Sequence, residues 1–588
     1  MSDFTAKSRQ DGERFGHPSI SDAVIFRVKA LLLQLSRGWQ DFLVYRTHRY
    51  SRSDVLSDRE IIAESATKLW THAADAELAL QAGKVHNLRI ALRQINGVEI
   101  PANGTFSFWA QVGRASKWKG YVAGRELREG CLIPSIGGGL CQLSNALYDA
   151  ALSAGFDIIE RHAHTQVIPG SLAEAGRDAT VFWNYVDLRF RSKEAFRIEA
   201  FMTHDHLTVR LRGYKNGLPS APSIQARHSL PSLSGPNTCA GCGVHTCFRN
   251  AEPGGSALSF GRAAYLVDEY WPEFDQYLEA QKSEADWLIL PLDGRKFKKP
   301  NYAWDTTGFH QVREKRWVAA LRALESRRLA AQGAARQKAL LKYDEKLALS
   351  FASSLTPDVI HVTMMQNLLP FLWRGGYLGG RTFDVLMTRL PVASLQKRLD
   401  AAYRLHPESV TLADYRADRW LIEAESQALR QARKIITPHT EIAGLFQDQA
   451  VLLDWRLPLV KTRPAKGAKI IFPAPTVGRK GAYELRQVAK ELNLELVVLG
   501  SQLEGKGFWG DVRIECGNLD KHWLDQAGVV VLPAFIEHKP RRLLEAIACG
   551  IPVIASSACG LEGVGGVVTI PIGDPHALAS EIKKTLSK

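Results

Sequence analysis

Glu537 and Glu545, two carboxylates eight positions apart, bracket the stretch Glu537-His538-Lys539-Pro540-Arg541-Arg542-Leu543-Leu544-Glu545. A carboxylate accepts two hydroxyl hydrogen bonds at once, and binds them more strongly than a neutral acceptor does. Arg541 and Arg542, beside the free N–H groups of a helix start, would make an adjoining place for phosphate. The bland alternative is a solvated acid pair on an ordinary helix. A second set is Cys141, His162, His164 and Asp178. A cysteine at a helix N-terminus favours thiolate, so Cys141 could be a nucleophile with His162 or His164 as base and Asp178 orienting it. A buried structural cysteine beneath a glycine turn is the competing reading. A third set is Cys239, Cys242 and Cys247, three thiols within nine residues. They could converge on zinc or an iron-sulfur cluster, although the thiol count is short by one and His245 is spaced too tightly for a usual zinc ligand. Free or redox-paired thiols are the alternative there.

The elements that must hold these residues follow from punctuation and apolar runs. Pro540 suits a first helical position, Gly550 and Pro552 make a stop, and the apolar runs on either side read as buried parallel strands. Glu537 then lies on a loop at the carboxyl end of a strand, the edge where open parallel sheets bind ligands. Further strands are expected at 470–475, 496–500, 529–532 and 551–555, with Gly478-Arg479-Lys480-Gly481 opening a helix and Asp574 capping the last one. The turn 463–467 reads as a hinge. Upstream, 287–292 reads as a first buried strand, followed by strands at 358–363, 383–388 and 434–438 and a helix near 417–432. Nearer the amino terminus, Gly137-Gly138-Gly139 allows a sharp turn before a helix at 141–154, and His162 and His164 share one face of an expected strand, with Asp178 opening the next.

At 588 residues the chain needs several cores, and its apolar content of 45% is that of a globular protein. No run approaches the roughly 18 apolar residues of a membrane span, and the polar first residues do not read as a secretory signal, so a cytoplasmic home is expected. Residues 22–52 have the period of a basic amphipathic helix, which either packs on the body or lies on a bilayer surface. The net charge of +14 is uneven: residues 294–346 hold fourteen Lys or Arg against five Asp or Glu. Arg313, Lys315, Arg316, Arg322, Arg327 and Arg328 fall there on an expected helix that could face anionic lipid or polyphosphate, or be a solvated basic face. Without an aromatic-interleaved RNA motif or zinc-finger spacing, nucleic acid is not an expected partner.

Two resemblances add to this reading. Glu-x7-Glu between strand and helix resembles the signature of retaining nucleotide-sugar glycosyltransferases of the two-lobed GT-B type. That resemblance implies that Glu537 sits by the donor sugar, that Glu545 holds the ribose hydroxyls, that Arg479 and Lys480 clamp the diphosphate, and that His361 bonds the donor sugar. No cofactor is implied. The run His86-Asn87-Leu88, Phe106-Ser107-Phe108-Trp109, Gly120-Tyr121, Ile136 to Asn145 with Gly138, Gly139, Cys141 and Gln142, Glu160 to His164 and Asp178 to Val181 resembles the VanW family, named for an accessory protein of vancomycin-resistance clusters. The expected fold is α/β, a GT-B-like pair of Rossmann-type lobes behind an α+β VanW-like domain. The expected divisions are a basic helical region at 1–60, the VanW-like domain at 61–213, a linker with the cysteine loop at 214–285, and lobes at 286–465 and 466–588. The function implied is retaining transfer of a sugar from a nucleotide-sugar donor to an anionic or lipid-linked envelope acceptor, with peripheral membrane contact. A cysteine-dependent hydrolase or acyltransferase using Cys141, or an envelope-associated scaffold, is the alternative.

Overall fold

The computed structural model describes residues 48–71, 75–128, 131–164, 172–183, 186–214, 261–329, 333–414, 416–459, 467–517, 520 and 522–587. The cysteine loop, nearly all of the expected amino-terminal helix and most of the expected hinge lie outside these residues. The chain divides into two compact units, one ending at Gly261 and including Gly379–Arg381, the other comprising Arg262–Leu378 and Thr382–Lys588.

The first unit is α+β. A four-stranded antiparallel sheet runs Glu60–Lys68, His206–Gly213, Phe196–Met202, Val98–Ile100, with strands adjacent in that order. Alternation decides its faces: in Phe196–Met202, Phe196, Ile198, Ala200 and Met202 are buried. Helix Asp75–Ile95 covers it with Val85, Leu88, Leu92 and Ile95 on one stripe. Helix Cys141–Ser153 adds Leu143, Leu147 and Ala150 to the same core.

The second unit holds two parallel sheets. The first lobe orders its strands Gln311–Glu314, Trp287–Leu290, Arg262–Leu266, Val359–Met365, Thr382–Leu386, Lys434–Thr437, Ala450–Leu452. The second orders them Arg513–Gly517, Glu495–Leu499, Lys469–Phe472, Ala527–Leu532, Val553–Ser556, Val567–Ile570. Counted along the chain, both begin 3-2-1-4-5-6, the Rossmann order, whose switch point lies between the first and fourth strands. The central strands are apolar throughout because both their faces are covered: Val529 to Leu532 are all buried. Helix Arg541–Ala548 seats Leu543, Leu544 and Ala546 on the second sheet. Asp574 caps the last helix by accepting from the Ala577 amide at 2.9 Å.

Three expectations about elements need correction. The first strand of the leading lobe is Arg262–Leu266, central in its sheet, and 287–290 is the second. Its Ala-rich sequence, broken from the preceding glycines by only one residue, hid the buried run. Arg313 belongs to an edge strand and the basic helix starts at Arg316. Pro540 occupies the capping position, and the helix opens at Arg541.

Candidate active site at the second switch point

In the second lobe the loops after strands Lys469–Phe472 and Ala527–Leu532 meet. Gly481 makes this approach possible: its φ is +78°, and a Cβ there would stand 2.0 Å from the Pro533 carbonyl oxygen. The Phe535 and Ile536 amides donate to the Arg479 carbonyl at 2.9 and 3.1 Å, zipping the loops together. Across this seam the Lys480 ammonium pairs with Glu537 at 2.7 Å, and the Lys539 amide donates to the other Glu537 oxygen at 2.9 Å. Burial alone would raise the Glu537 pKa, but Lys480, the Lys539 amide and Arg479 more than offset it, and the carboxyl is held below its ordinary value.

The other expected phosphate ligands separate. The Arg479 side chain is exposed and has no hydrogen-bond or ion-pair partner among the described residues. Arg541 is not free for phosphate: its guanidinium forks onto Glu273 of the first lobe at 2.7 and 2.6 Å, and the Glu273 side chain is 0% exposed. A charge-assisted bidentate pair with a buried carboxylate outcompetes solvent for that arginine. Arg542 donates to the Pro473 carbonyl and lies in the field of both Glu537 and Glu545. Glu545 accepts from the Trp523 indole at 3.2 Å. The two acids eight positions apart thus flank one guanidinium, on a loop and a helix of the same lobe.

His361 sits elsewhere. It is near the amino end of strand Val359–Met365, where its ring meets Thr382 at 2.9 Å and Asp384 at 3.4 Å while Arg433 forks onto Asp384. The amino edge of a parallel sheet is opposite the ligand edge, so His361 joins an ion-pair network there and does not face the donor position. The histidines at the carboxyl edge are ones the sequence reading passed over. His439 follows strand Lys434–Thr437 and its Nε2 reaches the Glu537 and Ala558 carbonyls at 3.0 and 3.2 Å, holding the Glu537 loop from the first lobe. His538 accepts from the Leu390 amide at 3.2 Å. Burial lowers the pKa of both, and for His538 neighbouring His439 and Lys480 add to it. A histidine directly after an apolar strand ending Thr437-Pro438 was the available signal. Glu504 was also missed: it accepts from the Gly478 amide at 2.7 Å, Ser409 at 2.9 Å and Tyr483 at 3.0 Å, so the first free N–H of the glycine turn is already satisfied.

In the first unit, Cys141 does begin a helix, but burial raises its thiol pKa instead of the helix terminus lowering it. Its Sγ donates to the Val181 carbonyl at 3.9 Å and to neither histidine. His164 pairs with Asp178 at 2.6 Å, and Asp178 also holds the His164 amide and Arg161, both at 2.7 Å. His162 is half exposed beside Glu160, past the end of strand Asp157–Glu160, and Asp178 lies in a loop, so no shared strand face exists. Gly138 packs backbone to backbone, with a Cβ there falling 2.4 Å from the Gly124 oxygen, and Gly139 has φ +96° against Lys84. Gln142 donates to Thr67 and the Lys68 carbonyl at 3.0 and 2.8 Å. These motif residues tie helix, hairpin and sheet together. Among the described residues no three His, Cys, Asp or Glu side chains are placed to hold a metal, and Cys239, Cys242 and Cys247 lie outside them.

Residues 83–212 match the family described as VanW like protein, and residues 479–588 match Glycosyl transferases group 1. The Enterococcus faecalis vancomycin B-type resistance protein VanW is 32% identical over 148 residues, 25% of this chain and 54% of that protein. An uncharacterized Bacillus subtilis protein, YoaR, is 32% identical over 136 residues, 23% of this chain and 44% of that protein. The chain therefore spans about half the length of the curated relatives it matches. Among solved structures, sucrose-phosphate synthase from Thermosynechococcus elongatus superposes with a TM-score of 0.36 at 17% identity, covering 56% of this chain and 90% of that one. Anabaena HepE in complex with UDP and glucose does so at 0.33 and 13%, covering 56% and 90%. The chain joins a VanW-like segment to a group 1 glycosyl transferase segment.

Proposed function

We propose that the second unit transfers a sugar, with retention, from a nucleotide-sugar donor to a cell-envelope-related acceptor, anionic or lipid-linked. The observation that carries this reading is the pairing of Glu537 with Lys480 at the second switch point, with the unpaired Arg479 guanidinium beside it. In the transfer, the bond from the anomeric carbon to the diphosphate oxygen breaks and one to an acceptor hydroxyl forms on the same face, the hydroxyl proton leaving with the diphosphate. Arg479 and Lys480 offset the charge that gathers on the departing oxygens. Glu537, kept ionised by its cations, accepts hydroxyl hydrogen bonds of the sugar, and Glu545 accepts those of the ribose. Arg541 is assigned to holding the lobes together and His439 to positioning the Glu537 loop.

The test is thermal unfolding with a panel of sugar nucleotides, UDP and GDP. A ligand at about a hundred times its dissociation constant stabilises the native state by ~2.7 kcal/mol. The expected result is a rise with one nucleotide series that vanishes in Glu545→Ala. No rise with any of the panel would overturn the reading.

A further inference from the structure

Helix Arg316–Arg328 buries little apolar surface: Ala319 is buried and Val318 packs on the core of its lobe. On the same inward side lies Arg322, whose guanidinium forks onto Asp268 and also reaches the Tyr302 hydroxyl at 2.9 Å and Asp344 at 3.4 Å. Asn367 completes this ionic core by donating to Asp268 and Asp344 at 2.8 and 3.0 Å. At about 100° per residue, Trp317 and Leu324 lie on the side away from Arg322, with Leu321 beside them on its flank. Trp317, Leu321 and Leu324 are 85%, 49% and 68% exposed. An amphipathic helix of a soluble body buries its apolar stripe and shows its charges. Here only small or branched apolar side chains face in, beside a charged one, and the larger apolar side chains are left outside.

The surroundings are cationic. Arg327 and Arg328 close one end of the stripe, and at the other Arg316 lies over the ring of Phe297, itself 40% exposed, at 4.8 Å. Lys296, Lys298 and Lys299 flank that ring and are exposed. Glu314 and Glu325, the nearby acids, are engaged by Arg316 and Tyr343. We propose that this face docks on an anionic lipid surface, with Trp317, Leu321 and Leu324 entering the headgroup boundary and the surrounding Arg and Lys lying among phosphates. The charge decides the occupant. A stripe ringed by cations complements acidic headgroups, and long basic side chains can stay at headgroup level while the apolar stripe sinks. A second copy of the same face would set like charges against each other, and so would the amino-terminal segment with its Arg27, Lys29 and Arg37.

Flotation of the full chain with vesicles tests this. Vesicles of phosphatidylcholine with about one third phosphatidylglycerol should carry the protein upward, and phosphatidylcholine alone should not. Trp317→Ser with Leu324→Ser should lower the bound fraction roughly tenfold or more. Arg327→Glu with Arg328→Glu should also lower it, and should flatten its dependence on salt. All four residues are exposed, so thermal midpoints should stay near that of the parent chain. Both variants floating like the parent, or a parent that ignores acidic vesicles, would overturn the proposal. So would variants that alter only the oligomeric state measured by light scattering.

Discussion

The two lobes share a strand order and treat its switch point in opposite ways. In the first lobe the loops after the first and fourth strands bring Asp268 and Asn367 together, and Arg322 from a surface helix forks onto the same Asp268. In the second lobe the corresponding loops bring Lys480 and Glu537 together and leave the Arg479 side chain exposed, with no partner among the described residues. One switch point is engaged from within its own lobe; the other leaves a guanidinium unpaired among the described residues. Topology therefore offers two equivalent switch points, and side-chain chemistry makes them differ.

The sharpest way to break this contrast is Arg322→Met. It strands Asp268 and Asp344 in the interior, and breaking such a buried pair costs about 3–5 kcal/mol, read as a large fall in thermal midpoint. The same logic gives a milder result with a definite sign for Asp344, whose carboxyl is pushed up to about 7 by burial and by Asp268. Its folded pKa exceeds the unfolded value of 3.8, so its contribution is full below that value and lost as pH rises through about 7. Asp344→Asn should remove that part of the pH dependence. In the second lobe, Lys480→Met should cost transfer about 2.7–4 kcal/mol of barrier, as loss of a preorganised charge donor does, with a stability cost from leaving the largely buried Glu537 without its ammonium partner. Arg479→Ala should leave the midpoint of the unliganded protein within about 0.5 kcal/mol, because the side chain is exposed, while weakening nucleotide binding about tenfold in titration calorimetry. Equal stability losses for Arg322→Met and Arg479→Ala would abolish the distinction between the lobes. The smallest expected effect is on acid stability. His439 and His538 are buried and depressed below 6.5, so the unfolded chain binds their protons more readily. Their contribution to stability is present above pH 6.5 and declines as pH falls below it, and His538→Gln should lessen the decline seen by calorimetric scans.

Much of the second lobe was legible because its strands are continuous apolar runs cut by glycine and proline. The loop bearing Glu537 is where those runs place it. What spacing could not reveal is which partner each charge finds. Arg541 and Glu273 are 268 positions apart, and no local pattern couples them. His361 shows the same limit from the other side: a histidine on a buried strand is visible in sequence, but whether it lies near the amino or the carboxyl end depends on where the strand begins. For Cys141, a helix start was correctly read, yet burial by distant elements reversed the expected direction of its titration. The VanW-like motif residues are legible as a family pattern; their packing roles emerge only once Gly124 and Gly138 are seen back to back.

The Arg541–Glu273 fork joins a helix of one lobe to a helix of the other, beside the Lys539–Glu269 pair at 2.7 Å. Any movement that parts these two helices must first unfasten it. If the proposed transfer needs these helices to part, added electrolyte, which screens the more exposed Lys539–Glu269 companion first, should quicken product departure before it alters the bond-making step.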